Sequence, residues 1–132
     1  MESTDENEYP HPVKLTREEI SGSIFSHEDV DKYTENDVEV TNFTMLESSD
    51  EHFATGIYSS PACKENHPDG YGMDEFMFFL TGGVTLTSED GTVTEIVAGE
   101  AVSLTREWKG TWDTDGYTKL WVSYDRDGSA AE

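Results

Sequence analysis

The sequence predicts an all-β domain, a sandwich or barrel of roughly eight or nine short strands with only short helical turns near its N-terminus. Three observations carry this. Between Glu75 and Trp112, short apolar runs alternate with glycine-bearing turns (EFMFFLTGGVTLTSEDGTVTEIVAGEAVSLTREWKGTW). Aromatic residues make up 11% of the chain, and many sit in alternating runs. At 132 residues the chain is one domain, long enough to bury most of its apolar surface in a single core.

Residues 1–12 read as a loose acidic tail ending at Pro10 and Pro12, followed by a single domain over 13–126 and a C-terminal tail over 127–132. Leu15 to Ile20 (LTREEI) predicts a short helical turn, with Thr16 as cap and Glu19 three residues on, as in a capping box. Ser26 to Val30 predicts a second short turn. Val38 to Met45 reads as a strand with Val38, Val40 and Asn42 on one face. His52 to Ser59 reads as another, placing Phe53, Thr55, Ile57 and Ser59 opposite Ala54, Gly56 and Tyr58. The stretch Ser60 to Asp74 is rich in Pro, Gly, Asn and Asp and reads as a loop.

Glu75 to Leu80 is apolar on both faces, the mark of a central strand or a subunit contact. Gly82-Gly83 then predicts a bend into Val84 to Thr87, and Asp90-Gly91 a hairpin returning through Thr92 to Val97. Ala101 to Thr105, Lys109 to Asp113 and Tyr117 to Tyr124 complete the set, with a last hairpin at Asp115-Gly116.

The charge balance excludes several function classes. The chain carries 29 acidic and 8 basic residues, formally −21. A nucleic-acid backbone or an anionic membrane would need the opposite sign. The acids are spread along the chain, which points to a solvated, solubilising surface. No apolar run approaches the roughly 20 residues of a membrane-spanning helix. The acidic start MESTDENEYPHP is unlike a signal peptide, and Cys63 is the only cysteine, so the expected location is cytoplasmic.

The Glu75 strand ending at Gly82-Gly83, the hairpin at Glu89 to Gly91, Ala98-Gly99-Glu100-Ala101, Lys109-Gly110-Thr111-Trp112 and the last strand with Lys119 occur in an order that resembles a cupin. Cupins are double-stranded β-helices of jelly-roll type. More narrowly, the chain is similar to the cupin-3-like subgroup related to (S)-ureidoglycine aminohydrolase, over roughly residues 38–124. The resemblance implies a homodimer paired through N-terminal strands. In metal-binding cupins, two histidines one residue apart, a glutamate and a later histidine hold Fe, Mn, Ni or Zn. Glu75 stands at the glutamate position. The histidine positions fall near Asp69 and Tyr71, or Pro68 and Gly70, and in the second motif near Gly110, and none is histidine. The expectation is therefore no metal cofactor, the alternative being a divalent ion held by His67, Asp69 and Glu75.

Glu75 shares a strand face with Met77 and Phe79, so it points inward and needs a partner for its charge. Lys119, which interrupts an apolar strand and matches a lysine recurrent in the resembled subgroup, is the candidate. Glu75 and Lys119 form the expected catalytic or charge-neutralising pair. Tyr58, Tyr71, Met77 and Trp112 are the expected ligand-binding residues, with a small molecule as the partner. His11, His27 and His52 lie in polar stretches, and Cys63 has no histidine nearby; none is assigned chemistry. Three functions remain: a metal-free small-molecule binder, an enzyme for a small polar metabolite of ureide or amine type, or a regulatory dimer with a filled cavity.

Overall fold

A computed structural model describes residues 10–131. The acidic stretch over residues 1–9, most of the expected N-terminal tail, lies outside them. A single turn of helix, α1 (Arg17–Ile20), has the expected capping box: Glu19 N donates to Thr16 Oγ1 (3.1 Å) and Thr16 N to Glu19 Oε1 (2.8 Å). A 3₁₀ turn follows at Ser23–Ser26, and Val30 N closes the next turn onto His27 O. Seven strands come next: β1 (Asp31–Glu35), β2 (Val38–Glu47), β3 (Phe53–His67), β4 (Asp74–Ser88), β5 (Val93–Val97), β6 (Ala101–Leu104) and β7 (Gly110–Tyr124).

All pairings are antiparallel, in the order β1-β2-β3-β7-β4-β5, with β6 on the first half of β4 and β5 on its second half. The all-β jelly-roll expectation holds, as a sheet that curls around its core without hydrogen bonds closing its ends. The central strands differ from the expected pattern of short segments. β3, β4 and β7 each run for 15 residues. Ser60 to His67, expected as loop, is strand, because Cys63 to His67 pair with Thr114 to Gly110.

Gly82-Gly83 and Asp115-Gly116 are not strand ends. They sit side by side: Gly82 pairs with Tyr117, and Gly116 with Pro61 of β3. The β4–β7 register slips between Gly82 and Thr85. Gly82 (φ 69) and Gly116 (φ 124) adopt the left-handed backbone that glycine tolerates. A side chain on Gly82 would collide with the Gly116 carbonyl. These glycines bend three neighbouring strands at one level rather than reversing them. β1 was not expected; its burial alternates only around Tyr33, so its composition DKYTE carries little strand signal.

Register sorts the two faces. Inward rows run Ala54–Ser123–Glu75, Gly56–Trp121–Met77 and Tyr58–Lys119–Phe79 across β3, β7 and β4. Met77, Phe79, Leu86, Trp112 and Trp121 form the core, each at most 5% exposed. Outward rows run Phe43–Ile57–Leu120–Phe78–Ala101 and Leu46–Thr55–Val122–Phe76–Ser103. The N-terminal 3₁₀ turn packs on β2 at one end of this outer face, with His27 edge-on to Phe43 at 5.7 Å. Beyond it, Phe53, Phe76 and Tyr124 stay exposed. The segment after Tyr124 folds back on the barrel: Ala130 N donates to Glu51 O, and its side chain is fully buried in the core.

Candidate functional site

Three inward rows build the site. Glu75 and Lys119 are not opposite each other, since Glu75 faces Ser123 and Lys119 faces Phe79. Four residues of strand, about 13 Å, separate their rows. The two long side chains lean together over the intervening Met77, and Lys119 Nζ donates to Glu75 Oε2 at 2.8 Å. The pair is buried, with side chains 7% and 9% exposed. Nζ also lies 3.3 Å from Met77 Sδ. The other carboxylate oxygen, Oε1, accepts from the Tyr71 hydroxyl at 2.6 Å. The result is a chain Tyr71–Glu75–Lys119 in which both oxygens of the carboxylate are engaged.

Aromatic rings surround the ammonium. Nζ lies 5.3, 5.1 and 5.7 Å from the ring centroids of Tyr58, Trp112 and Tyr117. Tyr58 stacks on Tyr117 (5.9 Å, 25°), and Tyr71 on Trp112 (6.3 Å, 12°). Such faces attract a desolvated cation. Trp121 lies over Gly56 and donates through Nε1 to Asn42 Oδ1 at 2.9 Å. A cavity of about 100 Å³ opens beside the pair. Glu35 and Glu65 add two further carboxylates to its wall. Glu35 accepts from the Tyr58 hydroxyl (2.8 Å), and Glu65 pairs with His67 Nε2 (3.0 Å). One buried polar atom of the cavity wall has no partner, the Trp112 Nε1–H.

Glu75, Lys119, Tyr58, Tyr71 and Trp112 thus line one cavity, whereas Met77, expected among the ligand-binding residues, is fully buried beneath the ion pair and does not reach its wall. The alternative metal set does not assemble. Asp69 is exposed, His67 is taken by Glu65, and Glu75 is taken by Tyr71 and Lys119. At Gly110, where the resembled motif carries a histidine, an added Cβ would meet the Thr87 carbonyl and the Trp108 ring. The residues present therefore do not fit the four-ligand cupin centre, and among the described residues no three His, Cys, Asp or Glu side chains are placed to hold a metal ion together. Burial raises the Cys63 thiol, in keeping with the absence of assigned chemistry there. Sequence reasoning missed Tyr117, Glu65 and Glu35 as wall residues. Tyr117 shares the face of Lys119 and Trp121, a period-two signal masked by the assumed hairpin before it.

Burial, reinforced by Glu75, holds the Tyr71 hydroxyl well above its ordinary range; burial and Tyr58 do the same for Tyr117, and burial with the Glu35 bond for Tyr58. A folded-state value raised above the unfolded one contributes stability below about pH 10 that is lost as pH rises. Of the 6 tyrosines, these three are expected to ionise only as the protein unfolds in alkali. A spectrophotometric titration at rising pH checks this: one smooth step for all of them, without loss of secondary structure, contradicts it.

Residues 47–119 match the model of the EutQ-like cupin domain, Cupin_3. The chain belongs to the EutQ-like cupin family. Solved structures agree on the fold of this cupin. A protein of unknown function from Pseudomonas syringae pv. tomato superposes with a TM-score of 0.66 at 14% identity, over 71% of this chain and 43% of that one. This cupin therefore spans less than half the length of that protein. A putative ethanolamine utilization protein Q from Salmonella typhimurium gives 0.53 at 18% identity, over 64% and 68% of the two chains. A cupin 2 conserved barrel domain protein from Salinispora arenicola gives 0.57 at 13% identity, over 92% and 94%. No curated protein sequence matches this cupin. Among the described residues no helix is long and apolar enough to cross a membrane.

Proposed function

We propose that this cupin binds a small molecule in the barrel mouth without a metal, holding it against Tyr58, Tyr71, Trp112 and the Glu75–Lys119 pair. The observation that carries the reading is a buried ion pair beside an open cavity. A buried pair alone adds little net stability over apolar residues of the same size. Here it keeps charged, hydrogen-bonding groups at the wall of a space of about 100 Å³. That volume is below the roughly 300–1,000 Å³ of drug-sized sites, so the ligand has only a few heavy atoms. An unfilled cavity also weighs against a purely packed, regulatory barrel.

The test is a two-dimensional NMR screen of the three tryptophan indole N–H signals, with Trp112→Phe assigning the Trp112 resonance. A library of small amines, acids, sugars and ureides should contain a compound that shifts Trp112. The same compound should leave the Glu75→Gln/Lys119→Met double variant unchanged. Silence across the library in a folded protein overturns the reading. A second reading, an enzyme of ureide or amine type, is favoured by the Tyr71–Glu75–Lys119 chain. That chain places exchangeable protons on both sides of one carboxylate, as acid–base catalysis requires. Turnover of the bound compound would select it.

We also propose that two copies pair, and that they do so through the outer face of β3, β7 and β4 instead of the N-terminal strands that the resemblance implies. The two outward rows carry no charged side chain on a chain of net charge −21, so copies can meet there without opposing carboxylates. Sedimentation should give a dimer for the parent and a monomer for Phe76→Glu, which places a charge at a residue now 45% exposed. A monomeric parent protein at micromolar concentration contradicts the pairing.

A further inference from the structure

The charges around the cavity do not balance. Of its lining residues, Glu35, Glu65 and Glu75 are acidic and only Lys119 is basic. Lys119 is committed to Glu75 at 2.8 Å. Two carboxylates have no cationic partner within the lining: Glu35, which accepts from the Tyr58 hydroxyl, and Glu65, which pairs with His67 outside it. The surrounding chain carries −21, so an anion approaching the mouth is repelled and a cation is drawn in. The walls repeat this preference, because the faces of Tyr58, Tyr117 and Trp112 already hold one ammonium at 5.1 to 5.7 Å. Tyr117 also lines the cavity, and a phenol hydroxyl there is a neutral oxygen able to accept from an incoming N–H donor.

Resting on the reading of the cavity as a ligand site, we propose that its ligand is a short primary ammonium compound, its charged nitrogen set between Glu35 and Glu65 and against the rings of Tyr58 and Tyr117. The ammonium donates to a carboxylate oxygen and to the Tyr117 hydroxyl. The remaining two or three heavy atoms lie along Trp112, within the available volume.

Three probes of similar size separate the possibilities: ethanolamine as cation, ethylene glycol as neutral analogue and acetate as anion. Each is titrated into the full chain at neutral pH and low salt, following the Trp112 indole signal. Ethanolamine alone should shift it, with an affinity that falls as salt rises. Glu65→Gln should weaken ethanolamine binding by at least about tenfold, the loss of one charge-assisted hydrogen bond. Glu89→Gln, which removes the same charge from the distant β4–β5 hairpin, should leave it unchanged. Equal weakening by both variants makes the effect one of overall charge and overturns the proposal. Binding of acetate or ethylene glycol without ethanolamine overturns the ligand class but leaves the ligand-binding reading intact. Silence with all three probes overturns the class too, and the wider library then decides whether the cavity binds anything.

Discussion

Exchanging Lys119 for methionine is expected to lower the unfolding free energy by about 3–5 kcal/mol, the cost of leaving one member of a buried pair alone. Methionine matches the lysine stem in length and keeps the contacts along Met77, so the loss comes from charge and not from a void. The Glu75 carboxylate would remain 9% exposed, with Tyr71 as its single polar partner. Removing both charges together, in Glu75→Gln/Lys119→Met, should recover part of that loss, because no unpaired charge stays buried and only the new amide N–H lacks an acceptor. Urea unfolding of the parent, both single variants and the double variant gives the coupling energy directly. A single Lys119→Met variant within about 1 kcal/mol of the parent would mean that the pair behaves as a solvated surface bridge.

Gly56→Ala should damage the barrel beside the cavity with a single methyl group. An added Cβ would run into the Phe43 carbonyl and the six-membered ring of Trp121, whose Cε2 would lie 2.6 Å away. Backbone cannot yield without breaking the β2–β3 ladder, so Trp121 must move, and its bond to Asn42 goes with it. Overpacking and the lost buried hydrogen bond together amount to about 2–4 kcal/mol. Near-UV circular dichroism should report the displaced indole alongside the lower stability. A variant with the parent's spectrum and stability would show that Trp121 does not rest on this glycine.

How much of this could be read from residues alone depends on range. Alternation grouped Val40 with Asn42, Ala54 with Gly56, and Met77 with Phe79 on shared faces, and read the last of these as inward, because a half-buried strand writes its alternation locally. The inward carboxylate at Glu75 and the odd lysine in an apolar strand identified the pair, since each lone charge there demands a partner. Strand length was not legible. Gly82-Gly83 and Asp115-Gly116 have the composition of reversing turns, and only their lateral alignment across β4, β7 and β3 makes them bends. Glu65 was hidden by the same effect: in a segment read as loop it had no face, and in β3 it points into the cavity wall.

Strand β7 alone supplies Trp112, Tyr117, Lys119, Trp121 and Ser123 to the inner surface, and it is also the last of the described strands. On a ribosome, β3 and β4 emerge first with nothing between them, since in the finished sheet β7 separates them. The cavity therefore has no partial form. It is complete only when β7 lies between β3 and β4, the two strands that flank it in the finished sheet. Pairings of that sequence separation are slow to form and leave apolar edges open in the meantime. A dense negative charge on the rest of the nascent chain keeps neighbouring chains apart during that interval. The acidity of this cupin then serves its assembly as much as its solubility.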